Sequence, residues 1–135
     1  MKKVRLFAVA AAMGMFASTV TAAETTTAYV GTWGSVDEII KQFKTFVGDS
    51  ILIGHNIKGC DIPHISRAAK RAGVSFENMF LDTKPLAKKY KDECGWHNVK
   101  LTTLSDYFGI AQSEAHRAWC DAEANAYVYL KLKEF

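Results

Sequence analysis

Ser50 to Gly54 reads Ser-Ile-Leu-Ile-Gly, an uninterrupted apolar run closed at both ends by turn-forming residues. It is too short for a stable helix and has no polar alternation, so it predicts a strand buried on both faces of a sheet. Such a strand folds only where helices cover the sheet above and below, and the flanking sequence supplies them. Ser35-Val-Asp-Glu38 is a capping box, followed by Val36, Ile39, Ile40, Phe43, Phe46 and Val47 at helical spacing. Asp37 and Glu38 are therefore read as helix-start residues.

The pattern continues downstream. Pro63 to Ala72 places Ile65, Ala68, Ala69 and Ala72 on one helical face, with Gly73 as the stop. Val74 to Leu81 predicts a second short strand. Lys84 to Tyr90 predicts a helix opened by Asp82-Thr83, with Pro85 near its start. Leu101, Leu104, Tyr107 and Phe108 mark a short helix ended by Gly109, and Arg117 to Lys131 a long last one. Helix, strand, helix, strand, helix, helix, helix is an α/β layer architecture with parallel central strands flanked by helices.

The N-terminus carries a different signal. Met1 to Arg5 is basic, Leu6 to Val20 is apolar, and Val20-Thr21-Ala22 offers small residues of the kind a signal peptidase accepts. Residues 1–22 are read as a secretory leader, after which no membrane association is expected, and residues 23–34, rich in Thr, Ala and Gly, as a linker or a remnant. The folded body is assigned to 35–135. Lys2, Lys3 and Arg5 account for the whole formal charge of +3, so the body is neutral. Nucleic-acid contact would have to come from a local patch such as Arg67, Lys70, Arg71, Lys84, Lys88 and Lys89. Cys60, Cys94 and Cys120 cannot all pair within one chain. Their number suits a reducing compartment, while the leader points to export or the periplasm.

Two clusters carry chemistry. Phosphodiester cleavage by divalent ions needs carboxylates converging on one point and a base for the attacking water. Gly54-His55-Asn56-Ile57-Lys58-Gly59-Cys60-Asp61 leaves the buried strand and enters a helix, so Asp61 lies beyond a strand's C-terminal end, where ligands of α/β sheets collect. Ala115-His116-Arg117-Ala118-Trp119-Cys120-Asp121-Ala122 opens the last helix, and its histidine can take a proton near neutral pH. Trp96 and Trp119 are read as packing residues.

These two clusters resemble the His subtype of the DEDD exonucleases, the ribonuclease H-like family that includes proofreading subunits of DNA polymerase III. Asn56 and Asp61 fit its second motif, with Cys60 where an aromatic is usual. His116, Arg117, Ala118, Asp121 and Ala122 fit its third. Leu81-Asp82-Thr83 and Lys100-Leu101-Thr102-Thr103-Leu104 stand where the family carries an Asp-Thr and a Lys-Leu-x-x-Leu signature.

The resemblance implies a 3′-to-5′ exonuclease using two Mg2+ or Mn2+ ions on the 3′ end of a single strand. It implies metal ligation by Asp61, Asp121 and Glu24, general-base action by His116, and substrate contacts from His55, Asn56 and Arg117.

One motif departs. The family opens with Asp-x-Glu on its first strand, and the nearest match here is Ala22-Ala23-Glu24-Thr25-Thr26-Thr27, with Ala in the Asp position. The expected fold is thus an incomplete ribonuclease H-like one, its first three strands missing or degenerate, with weak or absent activity and an open sheet edge for a partner chain. Two readings stand beside the enzyme. One is a nucleic-acid-binding relic. The other is a zinc-binding interaction module built from Cys94-x-x-His97, His116 and Cys120.

Overall fold

The computed structural model describes residues 15–20, 26–30, 35–111 and 118–135. Among the described residues, two small sheets and five helices follow one another in chain order. Strands β1 (Met15–Val20) and β2 (Thr26–Val30) come first, then helix α1 (Val36–Val47), strand β3 (Leu52–Gly54) and helix α2 (Asp61–Ala72). Strand β4 (Phe80–Asp82) leads into α3 (Thr83–Tyr90), α4 (Leu101–Tyr107) and α5 (Ala118–Leu132). β3 and β4 pair in parallel, Leu52 with Phe80, Ile53 with Leu81 and Gly54 with Asp82. This is a mixed α/β architecture with a parallel two-stranded centre, a partial ribonuclease H-like fold.

Each body element has a local cause. α1 begins on the expected capping box. The Glu38 amide donates to Ser35 Oγ at 3.3 Å, and the Ser35 amide donates to Glu38 Oε2 at 2.8 Å. Ser35→Ala should therefore cost about 1 kcal/mol of folding free energy. A urea titration showing no change would remove the cap from the stability of the fold. α2 ends at Gly73 and α4 is followed by Gly109, both at positive φ, as the sequence predicts. Asp82 caps α3 by accepting from the Lys84 amide at 3.0 Å.

Some boundaries differ from the sequence reading. α2 starts at Asp61, two residues before the expected Pro63, because the chain already turns helical where the Ile62 amide bonds the Ile57 carbonyl. Of the predicted strand from Val74 to Leu81, only Phe80 onward pairs with β3, together with the Met79 carbonyl that accepts from the Leu52 amide. Residues 26–30 form a strand where Thr-rich sequence shows no strand period. Thr, Tyr and Val suit a pleated chain, and β2 gains an antiparallel partner in β1. The hairpin overlaps the segments read as leader and linker.

Among the described residues, three apolar clusters pack the helices against one another and against β3 and β4. On one side Ile40, Phe43, Val47, Leu52, Ile57, Ile65 and Ala69 join α1 and α2 to β3, with Phe43 stacked on Phe76 at 5.7 Å between ring centroids. On the other, Ala87, Trp96, Val99, Leu104, Val128 and Leu132 join α3, α4 and α5. Trp96 is buried here, as a packing residue should be. Ile53 and Ala126 pack together, with Ile51, Leu81 and Tyr129 around them, so α5 covers one face of the sheet. α5 also runs alongside β1. Among the described residues no helix is long and apolar enough to cross a membrane.

Candidate active site at the carboxyl end of the parallel strands

The loop from β3 to α2 is tightly wound, and its residues show why. A Cβ on Gly54 would meet Ile57 Cβ at 2.8 Å, so only glycine lets the chain fold back on the buried Ile57. Asn56 follows at φ 63°, a conformation asparagine tolerates better than most residues. Its carbonyl then accepts from the amides of Gly59 at 3.1 Å and Cys60 at 3.0 Å. The turn delivers Asp61 as the first residue of α2, at the C-terminal end of β3. Cys60 is the N-cap residue and makes no side-chain cap bond.

Asp82 holds this loop. Its Oδ1 accepts from the Asn56 amide at 2.8 Å and its Oδ2 from the Lys58 amide at 3.2 Å, in addition to the Lys84 amide. Lys84 Nζ reaches Asn56 Oδ1 at 3.4 Å. Asp61 makes no comparable set of contacts. Burial raises its pKa from 3.8 to about 6, its own amide opposes the rise, and the negative charge of Asp82 adds to it. A carboxylate held half-buried beside a second negative charge is one that a cation would relieve, so the donor chemistry suits a hard divalent ion.

Thr83 points into the interior, fully buried, with its hydroxyl 2.8 Å from Asn125 Oδ1, 3.3 Å from the Gly54 carbonyl and 3.0 Å from His55 Nδ1. His55 Nε2 lies 2.8 Å from the Val99 carbonyl. A carbonyl only accepts, so Nε2 carries the proton of the neutral ring. Burial pushes His55 below the ordinary histidine value, as does Lys84, against the opposing pull of the Val99 carbonyl and Asp82. Asn125 completes the chain by donating Nδ2–H to the Ile53 carbonyl at 3.4 Å. Asn125 lies on α5 four residues after Asp121, on the same helical face. Asp121 is thereby carried one turn from a residue fastened to the carboxyl ends of β3 and β4, the same end that presents Asp61.

The residues expected from sequence fare differently. Asp61 and Asp121 both belong to elements anchored at one end of the sheet. His55 is half-buried, and both of its ring nitrogens are engaged inside the protein, by Thr83 and by the Val99 carbonyl. Asn56 keeps its side chain half-exposed beside Lys84. Glu24, His116 and Arg117 lie outside the described residues. Among the described residues no group of three His, Cys, Asp or Glu gathers as a metal site. Of the basic patch, Arg71 pairs its Nε with Asp37 at 2.8 Å on the surface. Sequence reading placed Asp82 and Thr83 only at the opening of a helix and passed over Asn125. Its signal was an amide among the alanines of a buried helix face.

The model of the exonuclease family, RNase_T, matches residues 15–129. The chain belongs to the exonuclease family. The match begins within β1 and runs into α5. A DNA polymerase III PolC-type protein of Caldanaerobacter subterraneus is 34% identical over 100 residues, 73% of this chain and 7% of that protein. The PolC-type protein of Listeria monocytogenes is 38% identical over 98 residues, 72% of this chain and 7% of its own. A Mycobacterium tuberculosis protein named as a bifunctional exonuclease/endonuclease is 34% identical over 110 residues, 81% of this chain and 17% of that protein. This exonuclease-family chain therefore spans a small part of the length of the relatives it matches.

Proposed function

We propose that this exonuclease-family chain is a divalent-metal nuclease module that removes nucleotides from the 3′ end of a single strand, with low activity in isolation. The observation that carries the reading is Asp61. It stands half-buried at the carboxyl end of the parallel strands, raised in pKa beside Asp82, on the side to which Asn125 fastens the helix of Asp121. Asp61 and Asp121 would hold Mg2+ or Mn2+, and Glu24 would add the one carboxylate left in the first motif. The bound metal would polarise the scissile phosphate and acidify the attacking water. His116 would take that water's proton.

Two features support low activity. Ala22 occupies the position where the family's first motif carries Asp, so a two-ion site lacks a central ligand. The PolC-type relatives carry the matching segment as 7% of their length, which supports a module working inside a larger assembly. The side chains that could track a phosphate backbone are Lys58 and Lys84, near Asp61, and Arg67 on α2.

The test is hydrolysis of a 5′-labelled single strand by the full chain with Mn2+, beside Asp121→Ala. Stepwise 3′ shortening that the variant abolishes is the expected result. A folded chain that binds the strand without Mn2+ and never shortens it would replace the enzyme with a nucleic-acid-binding relic.

A further inference from the structure

Asp82 and Thr83 sit side by side where β4 passes into α3, and their side chains serve two different elements. The Asp82 carboxylate spends three of its roughly four acceptor positions on backbone amides, two of them in the loop that ends at Asp61. A carboxylate so occupied is an anchor with little capacity left for a ligand. The Thr83 hydroxyl, fully buried, meets Asn125 of α5 at 2.8 Å and the Gly54 carbonyl at 3.3 Å. One dipeptide thus ties the Asp61 loop on one side and the Asp121 helix on the other. Both ties are hydrogen bonds of defined length.

We infer that Asp82 and Thr83 are positioning residues that hold the Asp61 loop and the Asp121 helix in register, so that the two carboxylates can share one divalent ion. The inference rests on the metal-dependent reading proposed above, and it assigns no direct contact with metal or substrate to either residue. Removal of an outer partner that orients a ligand typically weakens metal binding by about 10- to 100-fold, which sets the expected size.

The experiment uses the full chain and its variants Asp82→Ala, Thr83→Val and Thr83→Ser, with two readouts. The first is amide hydrogen exchange at Asn56 and Lys58 without metal. The second is Mn2+ affinity from the free-ion electron paramagnetic resonance signal. Asp82→Ala should accelerate exchange at Asn56 and Lys58 and weaken Mn2+ binding by about 10- to 100-fold. Thr83→Val, which keeps the shape and loses the hydroxyl, should weaken Mn2+ binding comparably and leave those two amides protected, and Thr83→Ser should restore affinity. If Asp82→Ala does not fold, Asp82→Asn carries the measurement at Lys58 alone, since its one oxygen still accepts from the Asn56 and Lys84 amides while its nitrogen cannot accept from Lys58. Mn2+ affinity within about twofold of wild type in both Asp82→Ala and Thr83→Val, with only folding stability lowered, would overturn the inference. A wild-type chain that binds no Mn2+ would overturn the nuclease reading instead. Exchange alone would then decide the tie: unchanged protection in Asp82→Ala overturns it, and lost protection sustains it.

Discussion

Asp61→Asn should make the metal-free protein more stable near pH 7.5 while abolishing its divalent-metal chemistry. Burial and the neighbouring Asp82 charge raise Asp61 from 3.8 to about 6 in the fold, so the native state prefers the protonated acid. The sign follows from linkage. With the folded value above the unfolded one, the stability this group contributes is fully present below 3.8 and is lost as pH rises through 6. Above that range the chain carries an ionised carboxylate at an energetic cost that a neutral amide does not incur. The full shift would correspond to roughly 3 kcal/mol, and solvent screening of a half-buried group brings the expected gain to about 1–2 kcal/mol. Urea titrations in chelator at about pH 7.5 and about pH 4 check it, because the gain should vanish at the lower pH. An equal effect at both values, or a loss at about pH 7.5, would mean that Asp61 is not strained by its surroundings.

Asn125→Ala should lose about 3 kcal/mol, from two sources. The side chain is 1% exposed, so truncation opens a cavity between α5 and the sheet. It also removes the donor to the Ile53 carbonyl and the 2.8 Å acceptor of the Thr83 hydroxyl. Thr83 still has the Gly54 carbonyl and His55 Nδ1 within reach, whereas the Ile53 carbonyl loses its side-chain donor. Asn125→Leu separates the two sources, since it fills the volume and leaves the polar groups unmatched. An Asn125→Leu chain at least as stable as wild type in a urea titration would show that the buried polar chain contributes nothing net, as happens when polar partners are dispensable.

How much of this could be read from sequence depends on the kind of interaction. Elements set by local rules were legible: the Ser35 capping box, the apolar run of β3, the glycine after α2, and Asp82 opening α3. Asp61 and Asp121 stand out in the sequence as candidates because they lie at fixed spacing inside short motifs. Contacts between distant residues were not legible. That Asp82 would gather amides from Asn56 and Lys58, 26 and 24 residues away, depends on the parallel register of β3 with β4, which leaves no periodic trace. The same holds for the contacts of His55, whose ring nitrogens meet Thr83 and the Val99 carbonyl from 28 and 44 residues away. β2 escaped because its strand character comes from pairing with β1, not from alternation in its own five residues.

The most direct test is Mn2+ binding by the full chain and by Asp61→Asn, followed at about pH 7.5 and about pH 5. Saturable binding by the wild type that weakens at the lower pH, as Asp61 takes up its proton, and that Asp61→Asn removes is the predicted result. Equal binding by both chains, or binding indifferent to pH across that range, would contradict a metal site built on Asp61.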